Sequence, residues 1–198
     1  VNIWPVVGIV LLVALVAGVL SMSKWRTPAD TTGEKPVAKN SEPQGATTKV
    51  SVHVFNEKGE LVGPVDSPAV VLTDAQWREK LDPEQFKVLR SKGTERPFCG
   101  NLLDNKILGV YTCAGCGLPL FSSDTKFQSG TGWPSFYAPI AGENVVEHSD
   151  ISHGMVRVEI VCGRCDGHLG HVFDDGPAPT HQRYCLNSAS LGFTPSDK

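Results

Sequence analysis

Hydrophobic and polar positions change character several times along the chain. From Ile3 to Ser23 no residue is charged, and those 21 residues would span about 31 Å as a helix. Trp4 and Trp25 bracket the stretch, and Lys24 and Arg26 follow it. The pattern predicts a membrane anchor or a signal segment over 1–26, the anchor favoured by the length of the run and the missing A-x-A cleavage site. The positive flank would keep the rest of the chain cytoplasmic, yet many such anchors hold exported domains, so the side of the membrane stays open. Residues 27–49 are rich in Thr, Pro, Lys, Glu and Gly and read as a flexible tether. Alternation at Ser51–Phe55 and resumption at Glu60–Val65 predict a hairpin over 50–71, with Pro64 marking an edge strand. Thr73-Asp74 can cap a helix from Ala75, and Asp82-Pro83-Glu84 starts a second that ends at Gly93. Strand material follows at Gly109–Thr112, Leu118–Phe121, Met155–Val161, His171–Phe173 and Tyr184–Phe193. In the third of these, Val156, Val158 and Ile160 fall on one face.

Composition narrows the class. The chain has 198 residues, 40% of them hydrophobic, and a formal charge of -3. That supports a packed core and argues against a partner rich in phosphates, so no nucleic acid is expected. The six cysteines matter by spacing. Cys113-Ala114-Gly115-Cys116 and Cys162-Gly163-Arg164-Cys165 are two C-x-x-C knuckles, each with a glycine that eases the turn. Together they offer four thiolates to one structural zinc ion, with no position left open for chemistry.

Cys99 and Cys185 remain. A free cysteine is often a small buried hydrophobe. Cys185, however, lies in Arg183-Tyr184-Cys185-Leu186-Asn187. As a strand, this puts the thiol on one face with Arg183 and Asn187, while Tyr184 and Leu186 turn the other way. A nearby guanidinium favours the thiolate, which makes Cys185 a candidate nucleophile. His168-Leu169-Gly170-His171 follows the second knuckle. Its imidazoles are either spare zinc ligands or proton-transfer groups that Gly167 and Gly170 let converge. Ser129–Phe136 is a Gly-rich loop presenting Trp133, either as a packing anchor or as the wall of a small pocket.

Taken together, the knuckles, GWPSF (132–136), SHGM (152–155), HLGHVF (168–173) and RYCLNSASL (183–191) resemble the methionine-R-sulfoxide reductases of the B type. The resemblance runs from about Leu72 to Phe193, marking 72–194 as a catalytic domain and 195–198 as a tail. It implies a mainly β fold of two facing antiparallel sheets (a β-tent), with short N-terminal flanking helices and a ribbon-like structural zinc site. It implies that Cys185 attacks the sulfur of a methionine-R-sulfoxide residue in oxidised proteins and becomes a sulfenic acid. His168 and His171 would polarise the oxygen, Arg183 would stabilise the thiolate, and Asn187 would order the network. Trp133 would hold the substrate methyl group, with Phe193 completing the pocket. Many relatives place a resolving cysteine where this chain has Thr131. A second subgroup places it before the first knuckle, which Cys99 in Glu95–Gly100 matches. Thioredoxin or a similar protein would then reduce the Cys99–Cys185 disulfide. The alternatives are a non-catalytic zinc-ribbon binding module, a thiol enzyme acting on a peroxide, and a membrane-tethered structural protein.

Overall fold

The two apolar runs at 51–55 and 60–65 pair as antiparallel strands β1 (Lys49–Phe55) and β2 (Leu61–Pro68). The Asn56 side chain shapes the turn by accepting from the Lys58 and Glu60 amides at 2.9 and 3.0 Å. Val52 is buried in the main core, and the side chain of Asn144 clamps the hairpin from the other side. Its Oδ1 accepts from His53 N at 2.7 Å and its Nδ2 donates to His53 O at 2.8 Å. This computed structural model describes residues 48–196.

Two capping boxes start the helices where the sequence placed them. Thr73 caps α1 (Asp74–Lys80), and Asp82 caps α2 (Pro83–Ser91), with proline in its first turn. The left-handed residue that ends α2 is Lys92, with φ 53°, and not the expected Gly93. Trp77, Phe86 and Leu89 turn into the core.

Beyond the helices come β3 (Gly109–Cys113), β4 (Pro119–Ser122), β5 (Lys126–Phe127), β6 (Ser135–Phe136) and β7 (Val145–Asp150). They are followed by β8 (Arg157–Cys162), β9 (His168–Phe173), β10 (Arg183–Leu186) and β11 (Leu191–Pro195). A three-stranded sheet runs β11-β3-β4, and a six-stranded sheet runs β5-β6-β10-β9-β8-β7, every pair antiparallel. Aromatic contacts join the two sheets, with ring centroids of Tyr111 and Phe136 4.9 Å apart and of Phe121 and Phe136 4.7 Å apart. The mainly β architecture with facing antiparallel sheets and flanking helices is as expected.

Several local expectations need correction. The single strand read over Tyr184–Phe193 is two strands that serve different sheets, separated by a 3-10 turn at Ser188–Ser190. Alternation in Val156–Ile160 does not give an apolar inner face. Val156 is 85% exposed, whereas Glu159 is 4% exposed and lies inside with salt-bridge partners. The expected membrane attachment is corrected as well. No helix among the described residues is long and apolar enough to cross a membrane. The apolar run at 3–23 and the tether up to residue 47 lie outside the described residues.

Candidate active site and metal centre

The knuckles are built alike. Cys113 ends β3 and Cys162 ends β8, and each turns back on itself. Cys113 N bonds Leu118 O and Gly117 N bonds Cys113 O at 2.8 and 2.7 Å; Cys162 N bonds Gly167 O and Asp166 N bonds Cys162 O, both at 2.9 Å. The positive-φ positions are Gly117 and Asp166, at 75° and 57°, so neither glycine inside a knuckle supplies the left-handed turn. Gly163 is needed for room instead, because a Cβ there would stand 2.3 Å from Glu143 O.

The four sulfurs lie within 4.8 Å of one another, with Cys113 and Cys165 3.6 Å apart and Cys116 and Cys162 3.5 Å apart. A tetrahedral ion with bonds of about 2.3 Å sets sulfurs about 3.8 Å apart, so this donor set fits a zinc-sized thiophilic metal. Backbone carbonyls of the cluster are held in turn. Arg90 donates to Cys165 O at 2.9 Å, the Arg164 guanidinium donates to Cys116 O, and Val70 N donates to Arg164 O at 2.9 Å.

Around Cys185, strand register assembles the site. Cys185 on β10 stands opposite Ser135 on β6 and His171 on β9, and His171 stands opposite Glu159 on β8. Directly opposed residues share a face, so these four side chains form one row across the sheet. Simple alternation would put His168 and His171 on opposite faces, three residues apart on one strand. An irregularity in the β8–β9 register at Ile160/Val161 offsets this, and the two rings meet edge to face at 5.5 Å. Gly170 permits the close passage of β10, since a Cβ there would stand 2.0 Å from Cys185 O.

Each histidine carries a carboxylate. His168 Nδ1 lies 2.7 Å from Glu159 Oε1, and Lys92 Nζ donates to Glu159 Oε2 at 2.7 Å. Burial pulls the His168 pKa below its ordinary value, so its neutral ring gives the Nδ1 proton to Glu159. Burial pushes the Glu159 carboxyl up, but Lys92 and His168 outweigh it and leave it below the usual value. His171 Nε2 lies 2.8 Å from Asp150 Oδ2, which also accepts from Arg157 at 2.7 Å. Hydrogen bonds from Ser152, then from His171, hold Asp150 well below the usual carboxylate range.

Arg183 is buried and forks onto Asp175, Nε to Oδ1 at 2.8 Å and one Nη to Oδ2 at 2.9 Å, with its guanidinium 4.3 Å from the centre of the Phe173 ring. The thiol does not follow the simple expectation. Burial pushes the Cys185 thiol above its ordinary value and outweighs the Arg183 guanidinium and the nearby Thr131 and Ser135 hydroxyls, which pull it down.

Asn187 is turned to the backbone. It accepts from Glu95 N at 3.0 Å and donates to Leu169 O at 3.1 Å. Glu95 is a junction, its carboxylate accepting from the Ser188 and Ala189 amides at 2.7 and 3.0 Å and its carbonyl from Trp133 Nε1 at 3.2 Å. Trp133 lines a cleft of about 700 Å³ together with Phe98, Leu108, Phe127, Ser129 and Gly130. Phe193 is not part of that lining; it packs against Tyr111 on the three-stranded sheet, centroids 4.9 Å apart. Cys99 is an exposed free thiol in a smaller pocket with Asp82, Glu95 and Ser188, while Cys185 is a half-buried free thiol outside that pocket.

Several residues of this site escaped the sequence reading. Glu159, Asp150, Asp175 and Lys92 act through partners between 8 and 67 positions away, and nothing local marks them. Glu95, Ser129, Thr131 and Ser135 lie inside the quoted motifs, but their roles depend on contacts the motifs do not reveal.

Comparison with known proteins supplies the family. The SelR domain matches residues 81–195. The chain is 64% identical over 122 residues to the peptide methionine sulfoxide reductase MsrB of Methanosarcina mazei, covering 62% of this chain and 87% of that protein. It is 62% identical over 125 residues to the protein of the same name from Methanosarcina barkeri, covering 63% and 88%. For that of Thiobacillus denitrificans the figures are 60% over 125 residues, covering 63% and 95%. With more than half its length matched by one domain and these relatives covered almost end to end, the chain belongs to the SelR domain family of MsrB proteins.

Proposed function

We propose that the protein is a peptide-methionine (R)-S-oxide reductase in which Cys185 is the nucleophile. The observation that carries this reading is the row Ser135–Cys185–His171–Glu159, which sets a thiol between hydroxyl and imidazole groups on one sheet face. The Cys185 thiolate attacks the sulfoxide sulfur, and the oxygen takes up a proton. The sulfur–oxygen bond of the substrate breaks as the oxygen passes to Cys185, releasing methionine and leaving Cys185 as a sulfenic acid. Neutral His168, oriented by Glu159, offers its remaining nitrogen to a water or to the protonated oxygen, and His171, oriented by Asp150, delivers the proton. Trp133 forms the wall against which the substrate methyl group rests.

The cycle closes on Cys99. Its thiol displaces the hydroxyl of the sulfenic acid, forming the Cys99–Cys185 disulfide and water, and a thioredoxin-like dithiol reduces that disulfide. The four-cysteine centre binds one structural zinc ion. With four thiolates as ligands, the metal would stabilise the fold and leave no position for substrate.

The test supplies the full chain with separate R and S epimers of a peptide methionine sulfoxide and dithiothreitol. Consumption of the R epimer alone, lost in Cys185→Ser with zinc content unchanged, is the expected result. No consumption of either epimer by folded, zinc-replete protein would favour a zinc-ribbon binding module. For Cys99→Ser, turnover driven by thioredoxin should fall at least tenfold, and undiminished turnover would remove Cys99 from the cycle.

A further inference from the structure

We propose that Thr131, Ser129 and Ser135 form a hydroxyl chain that hydrogen-bonds the Cys185 sulfur and conducts its proton to the cleft beside Trp133. The proposal rests on Cys185 being the nucleophile and adds the groups that make its thiolate accessible. Ser135 is fully buried and directly opposite Cys185 across the β6–β10 ladder. Its Oγ lies 2.8 Å from Ser129 Oγ and donates to Trp133 O at 3.2 Å. Ser129 Oγ lies 2.8 Å from Thr131 Oγ1 and accepts from Thr131 N at 3.4 Å. Ser129 and Trp133 both line the cleft, so the chain runs from Ser135, the ladder partner of Cys185, to an open surface.

Counting protons shows why three hydroxyls suit the task. Each has one proton and two acceptor positions. Beside a thiol, Cys185 can donate to Thr131 or Ser135, and Ser135 gives its own proton to Trp133 O. Beside a thiolate, Thr131 and Ser135 rotate to donate to the sulfur, and Ser129 donates to one of them. Apart from the proton released to the cleft, the two arrangements differ by hydroxyl rotations, so ionisation requires no movement of the backbone.

The charged groups of the site leave this role open. On β10, Arg183 already forks onto Asp175, so its charge is shared. From β9, His171 faces Asp150, which also holds Arg157 of β8. Farther along, the buried His168–Glu159 pair is completed by Lys92. From β6 and the loop before it come only the three hydroxyls. Ser135 stands opposite Cys185, and in the proposed chain it and Thr131 would meet the sulfur and be catalytic residues, whereas Ser129 is a positioning residue acting through both.

The experiment measures alkylation of Cys185 by iodoacetamide against pH in the full-length, zinc-loaded protein, read at that residue by peptide mass spectrometry. Thr131→Val and Ser129→Ala should each raise the midpoint by at least about half a pH unit, roughly a threefold loss of thiolate below it. Thr131→Ser should restore it. Unchanged midpoints in both variants would overturn the chain. The epimer assay on the unaltered protein separates the two readings. A shifted midpoint with no turnover discards the reductase assignment alone, and normal turnover with an unshifted midpoint discards the hydroxyl chain alone.

Discussion

Lys92 and Glu159 share one short hydrogen bond but have unequal stakes in it. The lysine side chain is 70% exposed, and the carboxylate is almost wholly buried. Lys92→Met leaves the buried Glu159 carboxylate, still bonded to His168, without its cation, so a cost of about 1–3 kcal/mol is expected at neutral pH. Glu159→Ala should cost about 2–3 kcal/mol, since it strands the Nδ1–H of a buried histidine. Urea unfolding of the two variants checks both values. Acid adds a signed prediction. The folded Glu159 carboxyl sits below its ordinary value, so its contribution is present above the unfolded value of about 4.3 and is lost as pH falls through the folded one. Lys92→Met weakens that depression and should move acid unfolding, followed by circular dichroism, to higher pH.

Among the elements, β9 shows how one small residue sustains the register around Cys185. Gly170→Ala would put a methyl group into the carbonyl of Cys185 and break the β9–β10 pairing on which the opposition of Cys185 and His171 depends. A cost of more than about 3 kcal/mol is expected, with the melting temperature lowered by roughly 6 °C or more in a calorimetric scan. The same strand marks the limit of sequence reading. The knuckles and helix caps were legible because their partners lie within a few residues. The Cys185 row was only half legible: alternation placed Cys185 with Arg183, but which residues stand opposite depends on pairing between distant strands. Alternation failed at Glu159 because a polar residue between two apolar ones normally faces water, and here it faces His168. Asn187 was expected beside the thiol, but it follows β10 and spends its amide on the backbone of Glu95 and Leu169.

For the whole molecule, the four-cysteine cluster is placed to act as a bridge. Cys113 ends a strand of the three-stranded sheet and Cys162 ends one of the six-stranded sheet, so an ion bound by both ties the two sheets together. One zinc per chain is expected from elemental analysis. Its removal by a chelator should abolish the near-ultraviolet dichroism of the Tyr111–Phe136–Phe121 contact, since the tie between the two sheets is then lost. Retention of that signal in the metal-free protein would show that the sheets hold together unaided. The hairpin of β1 and β2 precedes the matched domain yet is tied to the same end, through Val70 to Arg164 and through His53 to Asn144.

The junction at Glu95 has a kinetic consequence. Cys99 lies four residues beyond it, a leash of at most about 14 Å when fully drawn out. Glu95 is itself bonded to Asn187, two residues past Cys185. In the proposed cycle a Cys99 thiol confined to such a radius would meet Cys185 at an effective concentration of millimolar or higher. Phe98 N also donates to Gly132 O at 2.8 Å, so Cys99 would have to break that bond to swing, while Glu95 O keeps its hold on the Trp133 indole. Lengthening the leash by a few glycines after Pro97 should then slow disulfide formation in a single-turnover thiol assay while leaving the first oxidation of Cys185 untouched.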